Sequence, residues 1–108
     1  MTHKNERQQG DVLINRIEIL PNDLKKIDKK PRGFVLAEGE TTGHAHVIDD
    51  GIEMFEATDG TLYIRVMKEK AVLTHEEHAS IELPRGLYEI GIVQEVDPWT
   101  EQPRNVVD

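Results

Sequence analysis

Residues 52–67, IEMFEATDGTLYIRVM, carry the clearest structural signal in the chain. Apolar and polar side chains alternate along the second half of this stretch. Leu62, Ile64 and Val66 therefore face one way, as in a strand that buries one of its faces. The Asp-Gly pair between the two apolar runs is typical of a β-hairpin turn. The stretch predicts a hairpin of two amphipathic strands.

Short apolar runs bounded by turn residues recur along the rest of the chain. Strands so closely spaced leave no room for the helices of an open α/β sheet, so the spacing predicts an all-β domain, either a small barrel or a jelly roll. The exception is residues 22–30, where Leu24 and Ile27 would share one side of a short helix. The predicted strands, about eight in number, cover residues 12–20, 34–37, 44–48, 52–57, 61–67, 71–74, 80–83 and 87–96.

The chain of 108 residues fits a single domain, since domains most often contain roughly 100–150 residues. We expect a flexible N-terminus over residues 1–10, the β domain over residues 11–96 and a polar tail over residues 97–108. The absence of cysteine excludes disulfides, thiolate zinc sites and a cysteine nucleophile. No apolar run approaches the roughly 20 residues of a membrane helix, and the polar N-terminus lacks a signal-peptide pattern. We therefore expect a cytoplasmic protein without a membrane partner.

The net charge of −8 argues against a protein that binds nucleic acid through its phosphates. One dense basic segment exists, and a solvated charged surface explains it better than a nucleic-acid contact. The basic segment consists of Lys25, Lys26, Lys29, Lys30 and Arg32.

A homodimer is compatible with a small barrel, which commonly pairs through an edge strand or a sheet face.

Four of the five histidines fall in two close pairs, His44 with His46 and His75 with His78. Residues two apart on a strand project from the same face, so a strand over residues 44–48 would present both imidazoles of the first pair together. Neutral imidazole binds zinc, iron, nickel and copper. The first pair therefore predicts a metal-binding face. The alternative is two ordinary surface histidines.

The second pair lies in the sequence THEEH, residues 74–78. Thr74 and Glu77 have the spacing of a capping box, so one interpretation is a helical turn with a structural role only. In such a turn His75 and His78 lie three residues apart on one side and can converge. We expect all four histidines to form one site for a divalent metal ion, with zinc, iron, nickel and manganese as the candidates.

Carboxylates are expected to complete this site and to transfer protons. Glu77 and Glu53 are the leading candidates for proton transfer. The turn over residues 39–43, with glycine at both ends, would let the backbone approach a ligand closely before His44. The alternative is that these glycines only close a hairpin. Further carboxylate candidates are Asp50, Glu56, Glu89 and Glu40.

The sequence GETTGHAH, residues 39–46, with Pro84-Arg85-Gly86 about forty residues later, resembles the two-motif arrangement of cupins. Cupins are small β-barrels whose first motif offers two histidines and a glutamate, and whose second runs from a Pro-x-Gly turn to a third histidine. The resemblance spans residues 36–95 and implies a divalent metal inside a jelly-roll barrel. As ligands, only His44 and His46 carry over from this resemblance. Asp50 or Gly51 stands where cupins have the glutamate, and Glu89 stands where they have the third histidine.

Nearly the whole chain also resembles a small bacterial and phage-type family, and this resemblance implies no reaction. The expected function therefore depends on the histidines. The features that carry the resemblance are QGDVL at residues 9–13, GETTGHAH at 39–46, HEEH at 75–78 and LPRGLYE at 83–89.

Three functions stay open, and the sequence leaves it undecided whether the protein is an enzyme. The first is a metal-binding protein that takes a small-molecule or nucleotide ligand, with hydrolysis as its candidate reaction. The second is a metal-free phosphodiesterase or nucleotide-binding protein, in which paired histidines act as general acid and base. The third is a non-enzymatic adaptor or regulatory subunit that docks through Trp99 in the tail, with structural histidines.

Overall fold

A computed structural model describes residues 6–38, 43–92, 94–96 and 103–105 and shows an all-β fold. Eight strands form one strongly curled sheet, a half-barrel in which every pair is antiparallel. The described residues contain no helix, and so none that is long and apolar enough to cross a membrane. The strands are β1 (Glu6–Gln9), β2 (Val12–Ile17), β3 (Lys25–Ile27), β4 (Phe34–Glu38), β5 (Ala45–Ile48), β6 (Ile52–Glu56), β7 (Leu62–Thr74), β8 (Ile81–Ile92), β9 (Gln94–Val96) and β10 (Pro103–Asn105).

The strand order in the sheet is β1-β2-β8-β7-β5-β4, with β6 pairing with β7 and β3 pairing with β6. The last two strands, β9 and β10, form a separate antiparallel pair. The predicted hairpin is confirmed, because β6 and β7 pair in register from Ile52 opposite Val66 to Glu56 opposite Leu62. The all-β prediction is also confirmed.

The sequence predicts breaks between strands near residues 67–71 and 83–87. In the structure, the long hairpin of β7 and β8 continues through both of these segments. Between the pairs Val66–Gly86 and Lys70–Pro84, three residues of β7 lie opposite one residue of β8, which is a bulge. β2 begins to pair with β8 at Leu87, so Pro84 removes no hydrogen bond to a second neighbouring strand. One bent hairpin therefore replaces four short predicted strands.

The predicted short helix over residues 22–30 is wrong, because this segment contains β3, which pairs with Met54–Glu56 of β6. A helix of so few residues is marginal by itself in water. Pairing with β6 satisfies the backbone and packs Ile27 against the core, while Lys26 reaches the Glu53 carboxylate at 3.2 Å. Tertiary contacts thus override the helical spacing of the apolar residues.

The core fills the inner face of the half-barrel with aliphatic side chains from β2 and from β4 to β8. The alternation predicted for the second strand of the hairpin is confirmed there, since Ile64 and Val66 are fully buried and Leu62 packs against them. The core consists of Val12, Ile14, Leu36, Ile48, Ile52, Met54, Ile64, Val66, Ala71, Leu73, Leu83, Tyr88 and Ile90.

Tyr88 is the one phenol of this core, and its hydroxyl donates a hydrogen bond to the Pro84 carbonyl oxygen at 2.6 Å. Replacing Tyr88 with phenylalanine is expected to lower the free energy of unfolding at pH 7 by about 1 kcal/mol through loss of this bond. Burial raises the pKa of Tyr88 above its ordinary value of 10.0. The wild-type chain should therefore lose stability as pH rises above about 10, because the unfolded phenol then ionises more readily than the folded one.

Urea unfolding of the wild-type and Tyr88→Phe chains at pH 7 and between pH 9 and 11 measures both effects. The difference between the two chains should narrow at high pH. A difference that stays constant through this range would show that ionisation of Tyr88 does not contribute.

Candidate functional site

The structure brings the four paired histidines into one cluster, where β5 begins beside the connection between β7 and β8. His75 is at its centre and contacts the rings of the other three. The ring centroids are 4.3 Å apart for His46 and His75, 4.6 Å for His75 and His78, 5.7 Å for His44 and His75, and 5.9 Å for His46 and His78.

Strand register explains why the two pairs meet. Val47 on β5 pairs with Thr74 on β7, and one further antiparallel step places His46 opposite His75. Thr74 is the last residue of β7, and its hydroxyl donates to the Val47 carbonyl oxygen at 3.2 Å. The segment that follows is a bend, so the helical-turn interpretation of residues 74–77 is wrong.

His46 is fully buried and is oriented by the side chain of Gln9 on β1. The amide nitrogen of Gln9 donates to the carbonyl oxygens of Leu73 at 3.0 Å and Ala79 at 2.8 Å. The amide oxygen of Gln9 lies 2.8 Å from Nδ1 of His46, and an amide oxygen can only accept. Nδ1 of His46 therefore carries the proton, and in the neutral ring Nε2 carries the lone pair.

His75 carries the opposite tautomer. The backbone N–H of Glu77 donates to Nδ1 of His75 at 3.0 Å, so this nitrogen is the acceptor. In the neutral ring the proton then lies on Nε2. Two neighbouring rings, His46 and His75, thus present one acceptor nitrogen and one donor nitrogen.

The turn between β1 and β2 contacts His78 from the other side. Gly10 in this turn has a φ of 57°, and a Cβ built on it would lie 2.6 Å from Nε2 of His78. Only glycine combines this backbone conformation with so close an approach. The turn therefore depends on Gly10 to pack against the cluster.

The cluster becomes more exposed toward His44 and Glu77. Oε1 of Glu77 lies 3.3 Å from Nδ1 of His44, and 57% of the Glu77 side chain is exposed against 23% for His44. His46 and His75, in contrast, are buried. Glu77 thus lies beside His44, on a more exposed side of the cluster than His46 and His75.

The other predicted carboxylate, Glu53, is not brought into the cluster. It lies on the outer face of β6 and forms ion pairs with Lys26 at 3.2 Å and Arg65 at 2.8 Å. These cations hold the pKa of Glu53 below its usual range, the hydrogen bond from Lys26 having the largest effect. Of the further candidates, Asp50 pairs with Lys68, Glu56 lies opposite Lys25, Glu89 accepts from the Tyr63 hydroxyl, and Glu40 lies outside the described residues.

Within the described part of the chain, no three His, Asp or Glu side chains are arranged to hold a metal ion. The ring centroids are 4.3–5.9 Å apart. Two imidazoles that share a tetrahedral zinc ion, with Zn–N distances of about 2.0–2.1 Å, have centroids about 5 Å apart. The ring orientations differ from those of a metal site, since the rings of His46 and His78 are stacked with an interplanar angle of 12°. In addition, Nδ1 of His75 accepts the hydrogen bond from Glu77.

Residues 8–93 match the family described as Domain of unknown function (DUF8820). The chain belongs to the DUF8820 family. The matched segment includes Gln9 and all four clustered histidines of this DUF8820 domain. No curated protein sequence and no solved structure gave a significant match to the chain.

The residues that support the histidines of the DUF8820 domain could not be recognised from the sequence. Gln9 gives no sign of burial, because it stands in a polar segment beside the exposed Gln8. Arg32 belongs to the basic segment, yet it bonds to Glu76, whose other oxygen accepts from the backbone of Ala45. A glutamine directly before a Gly-Asp turn shows only where the residue lies along the chain. Its contact with His46 can be recognised only once the pairing of the strands is known.

Proposed function

We propose that the histidine cluster of this DUF8820 domain binds one divalent transition-metal ion through imidazole nitrogens, with His46 as the anchoring ligand. The observation that supports this most directly is the hydrogen bond between Nδ1 of His46 and Gln9. Metal-binding histidines generally donate their second ring N–H to a fixed acceptor, which orients the ring and selects the tautomer. The Gln9 acceptor is itself held by two backbone carbonyls.

The remaining ligands would come from His75, His78 and His44, whose ring centroids are at separations suitable for a shared ion. Binding would require the rings of His75, His78 and His44 to turn their nitrogens toward His46, whose ring would stay bonded to Gln9. His75 would have to give up the hydrogen bond from the Glu77 N–H, because a nitrogen lone pair serves one partner at a time. A site of imidazoles favours zinc, nickel or iron over manganese, which prefers oxygen ligands.

A bound ion would supply Lewis-acid chemistry for hydrolysis of a small-molecule or nucleotide ligand. The residues of the chain that would contact this ligand are His44 and Glu77, at the exposed side of the cluster. The Glu77 carboxylate would accept a proton there. Glu53 has no part in this proposal, because its carboxylate is engaged by Lys26 and Arg65 on the outer face of β6.

A second candidate function is metal-free acid–base catalysis on a phosphodiester, and the opposite tautomers of His46 and His75 favour it. A neutral pair in which one ring accepts and its neighbour donates has the two roles that general acid–base catalysis requires. The reaction would then be insensitive to chelators.

Titration of the metal-free chain with Co²⁺ and Zn²⁺, followed by absorption and calorimetry, tests the first proposal. His46→Ala is expected to weaken binding at least about 100-fold, because it removes the anchoring ligand, and His44→Ala about tenfold. Glu53→Gln is the matched control and should bind as the wild type does. His44→Ala keeps the test valid if His46→Ala does not fold, because His44 is only partly buried.

Failure of the wild-type chain to bind either ion at micromolar concentration would reject the metal proposal. Hydrolysis of bis(4-nitrophenyl) phosphate with and without EDTA then decides the second candidate. Chelator-insensitive hydrolysis with a bell-shaped pH profile, lost in His46→Ala, would support it.

A further inference from the structure

The connection between β7 and β8 is fastened at its centre by Glu76. Oε1 of Glu76 accepts a hydrogen bond from the backbone N–H of Ala45 at 2.9 Å, at the first residue of β5. Oε2 accepts from Nη2 of Arg32 at 2.9 Å, and the same guanidinium nitrogen donates to the Gly43 carbonyl oxygen at 2.7 Å. We call this group of four residues the Glu76 clasp. It joins three segments that are distant in sequence.

The neighbours of Glu76 on both sides belong to the histidine cluster. His75 precedes it and contacts His46 and His44. Glu77 follows it, and its backbone bonds to His75 while its carboxylate lies beside His44. Whatever fixes Glu76 against the start of β5 therefore also fixes the distance between His44 and His75.

We propose that Glu76, held by Arg32, is a positioning residue of the histidine site: it fastens the connection to the start of β5 and so sets how His44 and His75 face each other. This inference deepens the proposed function and rests on it, because positioning His44 and His75 serves a purpose only if the histidine site binds a ligand. Glu76 itself would contact neither metal nor ligand.

The clasp differs from an ordinary surface ion pair, which contributes little to stability. Its bond to Ala45 is made to a backbone amide in a partly buried position, and a charged acceptor strengthens such a bond. The Ala45 N–H, followed by the backbone N–H of Glu76 itself, holds the pKa of Glu76 below its usual range, and the Arg32 guanidinium adds to this effect. The ion pair of Arg32 with Glu76 itself joins side chains that are 47% and 39% exposed, and the pair of Lys70 with Glu82 also joins two exposed side chains, so the bond to the Ala45 amide makes the difference.

Backbone amide hydrogen exchange in the metal-free chain tests the clasp directly. In Glu76→Ala the Ala45 amide is expected to exchange about tenfold faster or more, because it loses its acceptor. Glu76→Gln should lie between this variant and the wild type, since its amide oxygen still accepts from Ala45 but its amide nitrogen repels Arg32. Glu82→Ala is the matched control and should leave exchange at Ala45 unchanged.

Imidazole ¹⁵N spectra of the same samples report the tautomer of His75. The wild type should show the proton on Nε2, and Glu76→Ala should show a mixture. Zn²⁺ titration of these samples should show binding about 10–100-fold weaker in Glu76→Ala, the usual effect of removing a residue that supports a metal ligand.

The readouts separate the clasp from the proposed function. Unchanged exchange at Ala45 in Glu76→Ala overturns the inference, and so does faster exchange with unchanged zinc affinity. If the wild type takes up no zinc, the proposed function fails and the ¹⁵N spectra decide the inference. A changed His75 tautomer in Glu76→Ala then supports it, and an unchanged tautomer overturns it.

Discussion

Replacing Gln9 with leucine is expected to lower the free energy of unfolding by about 3 kcal/mol or more. The change leaves the carbonyl oxygens of Leu73 and Ala79 and Nδ1 of His46 without their Gln9 partner. Each buried polar group deprived of its hydrogen bond costs about 1–3 kcal/mol. Urea unfolding followed by circular dichroism measures the loss.

Gln8→Leu is the matched control, because Gln8 is the neighbouring residue on β1 and is exposed. It bonds only locally, to the Gly10 carbonyl oxygen, and its replacement should change stability by less than about 0.5 kcal/mol. The ¹⁵N spectrum of His46 should change in Gln9→Leu and stay as in the wild type in Gln8→Leu. Equal free energies of unfolding for Gln9→Leu and Gln8→Leu would show that the hydrogen bonds of Gln9 do not stabilise the histidine cluster.

Gly33→Ala is expected to destabilise the chain by about 2–4 kcal/mol. Gly33 is buried with a φ of 121°, a conformation that side chains rarely adopt. An added Cβ would lie 2.8 Å from the carbonyl oxygen of Ile48 and 2.9 Å from Cγ1 of Val47. Because both residues belong to β5, the strand that carries His46 must shift. Thermal or urea unfolding measures the loss of stability, and the His46 ¹⁵N resonances report the shift of the strand.

Gly60→Ala separates backbone strain from this contact. Gly60 has a φ of 91°, but a Cβ added there meets no atom within 4 Å. Its replacement should cost only about 1 kcal/mol and leave the His46 resonances unchanged. Equal losses in the two variants would show that the contact of residue 33 with β5 has no energetic effect.

The sequence predicts the strands wherever local pattern and tertiary environment agree. Alternation places Ile64 and Val66 in the core because β7 has one face buried there. The pattern fails at Pro84 and Gly86, which break most strands but here pair with the two residues that flank the bulge of β7 and lack β2 as a second neighbour. It fails again at Ile27, where pairing with β6 outweighs helical spacing.

The candidate site is likewise predictable from the sequence only in part. The spacing of His44 with His46 and of His75 with His78 identifies the four rings that the structure brings together. Their supporting residue Gln9 could not be identified, because the side chain's burial depends on β1 reaching the end of β7. Glu53 has the right chemistry but lies on the outer face of β6, and a charge alone does not indicate its face.

The hydrogen bonds by which Gln9 holds the histidine cluster join residues between 37 and 70 positions apart. Contacts of such high order form late and slow the folding of all-β chains. The unfolded chain accordingly has no preformed site, and a ligand selective for the native cluster stabilises the whole domain through linkage. At a free concentration 100 times its dissociation constant it would add about 2.7 kcal/mol. A rise in melting temperature would therefore reveal compounds that bind the native cluster before any reaction is known.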